Sequence, residues 1–211
     1  ADQKAAIQDA VKHYSKRSVK RGKLIMPCGT GKSLTAFWIA EALKSKTVVI
    51  AVPSLALIKQ SLQDWTTEFL AKNIRPEWIA ICSDDSVGNM KAMDSTVSSV
   101  YETGIKTSTN EKEIHEFLDR KTKLPKIIFV TYQSSPVLCK ASKRSKIVFD
   151  LLILDEAHKT VGNKSKVFST LLFEKNIKVK QRLFMTATER VYIGDSDDVV
   201  SMSDQNILSE K

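Results

Sequence analysis

No stretch of this 211-residue chain approaches the roughly 20 consecutive apolar residues that a bilayer span requires. No basic-then-apolar leader pattern opens it either, and the expectation is a protein with no membrane partner. Cysteine is scarce. Cys28, Cys82 and Cys139 stand far apart, in no metal-ligating pattern, and an odd count makes a poor disulfide framework. That usage suits a reducing interior and places the chain in the cytoplasm. Acid is in deficit: 24 Asp and Glu face 33 Lys and Arg, leaving a net charge of +9 that favours a polyanionic partner. Internal repeats are lacking, as are a recognition helix, a zinc module, and a nuclease or methyltransferase pattern. Base-specific readout is therefore not expected.

What is present is an ordinary globular mixture, 42% hydrophobic and 27% charged, long enough to bury a real core. Short apolar runs predict strands at Lys23–Met26, Thr47–Val52, Ile127–Thr131, Leu151–Asp155 and Arg182–Thr186, with Trp78–Cys82 as a weaker sixth. Most are continuous rather than alternating, as in a parallel sheet covered on both faces. Helical patterns separate them: Gln3–Tyr14, Lys32–Leu43, Leu55–Leu70 after Ser54, and Glu111–Leu118 after Asn110, with Glu113 at capping-box spacing. The alternation argues a doubly wound α/β fold. Ser83–Ser108 is polar and without period, and reads as a surface loop or insertion. Beyond Gly194 the chain reads as loop and linker, with Val199–Met202 as one possible strand.

Met26-Pro27-Cys28-Gly29-Thr30-Gly31-Lys32-Ser33 follows a strand and opens a helix, the context a phosphate-binding loop requires. Gly29 and Gly31 let the backbone curl so that successive N–H groups face phosphate oxygens. The helix N-terminus adds its positive end. Lys32 is placed to reach the β- and γ-phosphates of ATP, and Ser33 to offer its hydroxyl to Mg²⁺. Pro27, Cys28, Gly29, Thr30, Gly31, Lys32 and Ser33 are thus the candidate nucleotide-binding residues. Met26 stands where the general motif has its first glycine. Taken alone, the segment could be only a Gly-rich turn.

Leu151-Leu152-Ile153-Leu154-Asp155-Glu156-Ala157-His158 is a buried strand ending in two carboxylates. Ligands of open α/β sheets bind at the carboxyl ends of strands. Asp155 is expected to meet the Mg²⁺ held by Ser33, and Glu156 to polarise the attacking water. Lys32, Asp155 and Glu156 are the candidate catalytic set. An isolated Asp-Glu would more simply be a solvated loop start; the phosphate loop in the same chain argues otherwise.

With both motifs in hand, the chain resembles the superfamily two helicases in their DEAH-box form. Four further segments match in the family's order. Gln3, with Ala6 and Ile7, resembles the upstream glutamine motif, which implies an adenine contact at Gln3. Val52-Pro53-Ser54-Leu55-Ala56-Leu57-Ile58-Lys59-Gln60 resembles motif Ia. Val130-Thr131-Tyr132-Gln133-Ser134 resembles the T-Y-Q-S segment of restriction-type members. Met185-Thr186-Ala187-Thr188 resembles motif III. The wording around Ile25–Ser33 and Met185–Tyr192 is similar to the helicase parts of type I, type III and single-chain restriction enzymes, members that commonly lack the first loop glycine.

The resemblance implies a RecA-like P-loop NTPase domain over residues 1–190, and a linker over 191–211 toward a second motor domain absent from this sequence. It implies nucleic-acid contacts at Ser54, Leu55, Thr131, Tyr132 and Gln133, and coupling roles for His158, Thr186, Ala187 and Thr188. The partner it implies is DNA, held by its backbone without sequence preference. Basic runs at Lys16-Arg17, Lys20-Arg21 and Lys140 to Lys146 are expected to add attraction, or to be solvated faces. An RNA helicase and a nucleotide-gated interaction module are the alternatives. A small-molecule kinase would not need the further segments in that order.

Overall fold

The structure, a computed structural model, describes residues 3–16, 18–83, 106–160, 162–163, 167–187 and 199–200. Eight strands and five α-helices alternate along these segments. In chain order they are α1 (Gln3–Tyr14), β1 (Arg21–Ile25), α2 (Lys32–Ala42), β2 (Thr47–Val52), α3 (Leu55–Ala71), β3 (Glu77–Ile81) and α4 (Glu111–Asp119). Then come β4 (Lys126–Thr131), α5 (Ser135–Ser145), β5 (Phe149–Leu154), β6 (Gly162–Asn163), β7 (Val179–Thr186) and β8 (Val199–Val200). Six strands form one parallel sheet in the order β1-β7-β5-β2-β4-β3. The fold is the doubly wound α/β arrangement that the strand–helix alternation predicts, and the RecA-like domain that the resemblance implies.

Alternate residues of each strand feed two separate cores, which is why the strands read as continuous apolar runs. Val48, Ile50, Phe129, Ile153 and Leu183 face α1, α2 and α3. Val49, Ala51, Ile128, Val130, Leu152 and Phe184 face α4 and α5. Phe37, Trp65 and Phe69 stack edge-on or tilted at centroid separations of 5.0–6.3 Å, locking α2 to α3. Such aromatic pairs contribute about 0.5–1.5 kcal/mol each beyond their buried area. Among the described residues no helix is long and apolar enough to cross a membrane.

The expected elements are present, with ends that move by one to three residues. β7 begins earlier than its apolar run because Val179 and Gln181 pair with Phe149 and Leu151. Met26 and Asp155 fall just beyond their strands but extend the ladder, Met26 N–H to Thr186 O at 3.1 Å and Asp155 N–H to Ala51 O at 2.9 Å. Asn110 caps α4, its side chain accepting from Lys112 N–H at 2.9 Å. Ser54 occupies the cap position of α3 but makes no side-chain capping bond. Helix α5 was not legible as a helix, its sequence being polar and basic; it buries Leu138, Cys139, Ala141 and Ser142.

Most of the Ser83–Ser108 insertion lies outside the described residues. Its last part is not a free loop: Lys106 O and Ser108 N–H bond to Ala80, adding a bridge along the outer edge of β3. Of the expected linker, Val199–Val200 pairs antiparallel with Gly162–Asn163; the rest of 191–211 lies outside the described residues.

Candidate nucleotide and nucleic-acid site

Because every main strand runs the same way, the loops after them share one edge of the sheet. The phosphate loop follows β1, Thr186 ends β7, and the acidic turn follows β5. These three strands are immediate neighbours. Ser54 follows β2 and Gln133 follows β4, the next two strands along.

The loop at 26–33 is built for close approach. Gly29 and Gly31 have φ of 75° and 78°, where a Cβ is strained. A Cβ on Gly31 would also meet Gln3 Nε2 at 2.5 Å. Gln3 Nε2 donates to Thr30 O at 3.0 Å, tying α1 to the loop. Thr30 Oγ1 donates to Pro27 O at 2.7 Å, and Cys28 is exposed. Gly31 caps α2 without a side-chain bond, so no capping side chain occupies the first N–H groups of this helix. Lys32 Nζ donates to Met26 O and Pro27 O, both at 3.2 Å. Ser33 Oγ is buried with no hydrogen-bond partner, while its carbonyl accepts from Trp65 Nε1 at 3.3 Å. An orphaned buried hydroxyl beside glycine-lined backbone fits a phosphate-bound Mg²⁺.

At the end of β5, Asp155 Oδ1 accepts from Glu156 N–H at 2.9 Å. Burial pushes the Asp155 carboxyl above the usual range; the bond from Glu156 N–H opposes this, the Glu156 charge reinforces it, and Lys32 pulls it down. Glu156 has φ of 50°, a left-handed conformation that costs a non-glycine residue about 1 kcal/mol. His158 Nδ1 lies 3.2 Å from Glu156 Oε2 and 3.1 Å from Thr186 Oγ1. Lys32, Ser33, Asp155, Glu156, His158 and Thr186 are therefore carried by three adjacent strand ends. Ala187 continues the turn after β7, and Thr188 lies outside the described residues.

The five residues expected at nucleic acid divide sharply. Gln133 is exposed and Ser54 half-buried, but Leu55, Thr131 and Tyr132 are at most 3% exposed. Their side chains cannot touch a strand crossing the surface. Tyr132 does not stack on a base; its hydroxyl donates to Asp155 O at 2.7 Å. Among the basic runs, Arg21 turns inward, donating to Leu172 O and lying over Phe184. Lys143, Arg144 and Lys146 are exposed at the end of α5 that leads into the start of β5, the edge opposite the motif loops. Arg17 lies outside the described residues. Sequence reasoning missed the Trp65 bond to Ser33 and the Tyr132 bond to Asp155. Trp65 lies within a helical pattern and Tyr132 was expected at nucleic acid, and nothing in periodicity marks an aromatic whose polar tip is aimed at a site.

A probable helicase of African swine fever virus (isolate Tick/South Africa/Pretoriuskop Pr4/1996) is 29% identical over 171 residues, 81% of this chain and 17% of the viral protein. The type ISP restriction-modification enzyme LlaGI, solved as a nuclease-deletion mutant in complex with a DNA substrate mimic, superposes with a TM-score of 0.71 at 30% identity. The match covers 98% of this chain and 18% of that one. LlaBIII, an ATP-dependent type ISP restriction-modification enzyme bound to DNA, gives 0.71 at 28% identity over 95% of this chain and 14% of its own. The chain thus spans less than a fifth of the length of each of these proteins. Residues 1–190 match the family described as type III restriction enzyme, res subunit, and the chain belongs to that family of helicase-type proteins.

Proposed function

We propose that this chain is the ATP-binding first motor domain of a nucleic-acid-dependent ATPase that moves along DNA in a restriction–modification system. One observation carries the reading: the phosphate loop, the acidic turn and Thr186 sit on three adjacent parallel strand ends, with His158 bridging the last two. A lone phosphate loop serves many chemistries. The added link from the acidic turn to a neighbouring loop is what a motor needs and a simple kinase does not.

In this reading ATP is the substrate. The N–H groups of Pro27-to-Ser33 neighbours cradle its phosphates, with the prolyl nitrogen excepted, and Gln3 stands near the base. Lys32 leaves the loop carbonyls for the γ-phosphate. Ser33 and Asp155 hold Mg²⁺, which neutralises charge on the β- and γ-phosphates when bound. Glu156 orients water. His158 and Thr186, with Ala187 and Thr188, report the state of the γ-phosphate to the nucleic-acid side. Ser54 and Gln133 meet the backbone of the strand through their side chains. Leu55 and Thr131 contribute only main chain there. The DNA-bound condition of the two type ISP enzymes favours DNA over RNA. Residues 1–190 form the domain, 191–211 lead toward a second motor domain that completes the site, and the work is done in the cytoplasm.

The test is ATP turnover by the full-length protein with and without DNA, alongside Glu156→Gln. DNA-stimulated turnover that disappears in the variant supports the reading. Turnover that ignores DNA, or survives the substitution, contradicts it.

A further inference from the structure

The peptide unit joining Asp155 to Glu156 is held at both ends. Its N–H donates to Asp155 Oδ1 at 2.9 Å. Its carbonyl accepts from Tyr132 O–H at 2.7 Å. The second bond is the unexpected one. Tyr132 follows β4, and Asp155 follows β5; these strands are not neighbours, because β2 lies between them. The phenol therefore ties two loops whose strands are not paired with one another.

The residue is fully buried, at 0% exposure. Burial, reinforced by the charges of Asp155 and Glu156, holds its hydroxyl far above its ordinary pKa, so it stays a donor. The turn that carries it is braced. Ser135 Oγ donates to Tyr132 O at 2.7 Å, and Thr131 Oγ1 to Ser134 Oγ at 3.1 Å. Gln133, the next residue on this braced turn, is exposed. On the other side, rotating the 155–156 peptide re-aims Glu156, already held at φ of 50°. A peptide fixed at both ends keeps that unfavourable geometry; one released at its carbonyl need not.

We propose that Tyr132 is a positioning residue that ties the loop carrying Gln133 to the acidic turn, so that a nucleic-acid strand seated on that loop sets the aim of Glu156. This deepens the motor reading and rests on it. Tyr132 touches neither substrate nor strand; it acts through the Asp155 carbonyl.

The experiment replaces Tyr132 in the full-length protein by phenylalanine, which keeps the ring and removes the donor, and by 4-aminophenylalanine, which restores one. Turnover is measured with and without saturating duplex DNA, well below each variant's melting temperature. In Tyr132→Phe the DNA-stimulated kcat should fall about tenfold, the effect of one lost hydrogen bond expressed at the transition state. KM for ATP and affinity for DNA should stay near wild type, and the amino variant should recover most of the stimulation. Wild-type stimulation in Tyr132→Phe overturns the proposal. So does a fall in basal and stimulated rates by one common factor, or a phenylalanine chain that does not fold while the amino chain does, since either marks a structural role. Glu156→Gln runs in parallel. If it turns over normally, the motor reading itself fails; if it is dead while Tyr132→Phe is unaffected, only the positioning role does.

Discussion

The imidazole of His158 meets the hydroxyl of Thr186, Nδ1 to Oγ1 at 3.1 Å, and thereby joins the turn after β5 to the end of β7. The same nitrogen lies 3.2 Å from Glu156 Oε2. One ring nitrogen thus stands between the carboxylate proposed to orient water and the loop proposed to sense it. When Nδ1 carries a proton, it can be given to only one of them at full strength.

The first prediction follows from Glu156. Glu156→Gln keeps the size of the side chain and loses the base. ATP binding should be retained, and kcat should fall by roughly 10²–10⁴, the range for a general base. Equilibrium binding and steady-state turnover of the same preparation check it. Normal hydrolysis would remove Glu156 from the catalytic set.

The second concerns nucleic acid. Of the five residues expected at nucleic acid only Ser54 and Gln133 reach the surface, and the exposed lysines of α5 lie at the far edge, so binding by this chain should be weak. Its affinity should fall with salt at a log–log slope of roughly −1 to −3, since the chain's surplus of Lys and Arg, not the neutral Ser54 and Gln133, supplies the attraction. It should not depend on sequence. Fluorescence anisotropy on two unrelated duplexes over a salt series decides this; tight, salt-insensitive binding to one of them would argue for a specific binding module.

The third concerns stability. Asp150 Oδ2 accepts from Lys46 N–H, Thr47 N–H and Thr47 Oγ1 at 2.9–3.0 Å, and Oδ1 accepts from Lys180 Nζ at 2.7 Å. Burial works to raise its pKa, but the bonds from Lys180, Thr47 and Lys46 outweigh it and hold the carboxyl below its ordinary value. A carboxyl depressed in the folded state stabilises fully above its unfolded pKa of about 3.9. That contribution is lost as pH falls through the folded value. Asp150→Asn should therefore cost about 1–3 kcal/mol near neutral pH. The gap from wild type should narrow at about pH 2. Urea unfolding at both pH values measures it; a gap that widens in acid would reverse the sign argued here.

How much of this could be read from the sequence differs by element. The strands were legible because both faces of the sheet are covered, so Val48–Val52 and Ile127–Val130 carry apolar residues at every position. Lys32, Asp155 and Glu156 were legible because a loop before a helix and a pair of acids after a strand are local patterns. Helix α5 was not, because Lys140, Lys143 and Arg144 mask the buried Leu138, Cys139 and Ala141. Nor was the inward turn of Tyr132, Thr131 and Leu55, which matched nucleic-acid motifs by wording alone. Arg182 was read only as a strand residue. It is fully buried, its Nη1 3.2 Å from Glu174 and its Nε and Nη2 donating to the carbonyls of Leu171 and Ile177. Such partners lie 5 to 11 residues back in an irregular segment, where no spacing rule reports them.

The fourth prediction concerns completeness. A second motor domain is proposed to supply an arginine to the γ-phosphate. In NTPases such a finger is worth about 10³–10⁵ in rate, or roughly 4–7 kcal/mol of barrier. These 211 residues alone should hydrolyse ATP slowly, and DNA should accelerate them little. Robust DNA-stimulated turnover by a proven monomer would show the site to be complete within this sequence.

The central claim is that the loop from Met26 to Ser33 holds the phosphates of ATP, with Lys32 on the γ-phosphate. Equilibrium titration of the 211-residue chain with a fluorescent ATP analogue and Mg²⁺, wild type beside Lys32→Ala, tests it most directly. Among the described residues, Lys32 bonds to the carbonyls of Met26 and Pro27, at 3.2 Å. Its removal should leave the fold intact, as judged by an unchanged melting temperature without nucleotide. Saturable binding by the wild type, lost in Lys32→Ala, is the result this account predicts. Equal affinity in the two proteins, or no binding by either, would contradict it.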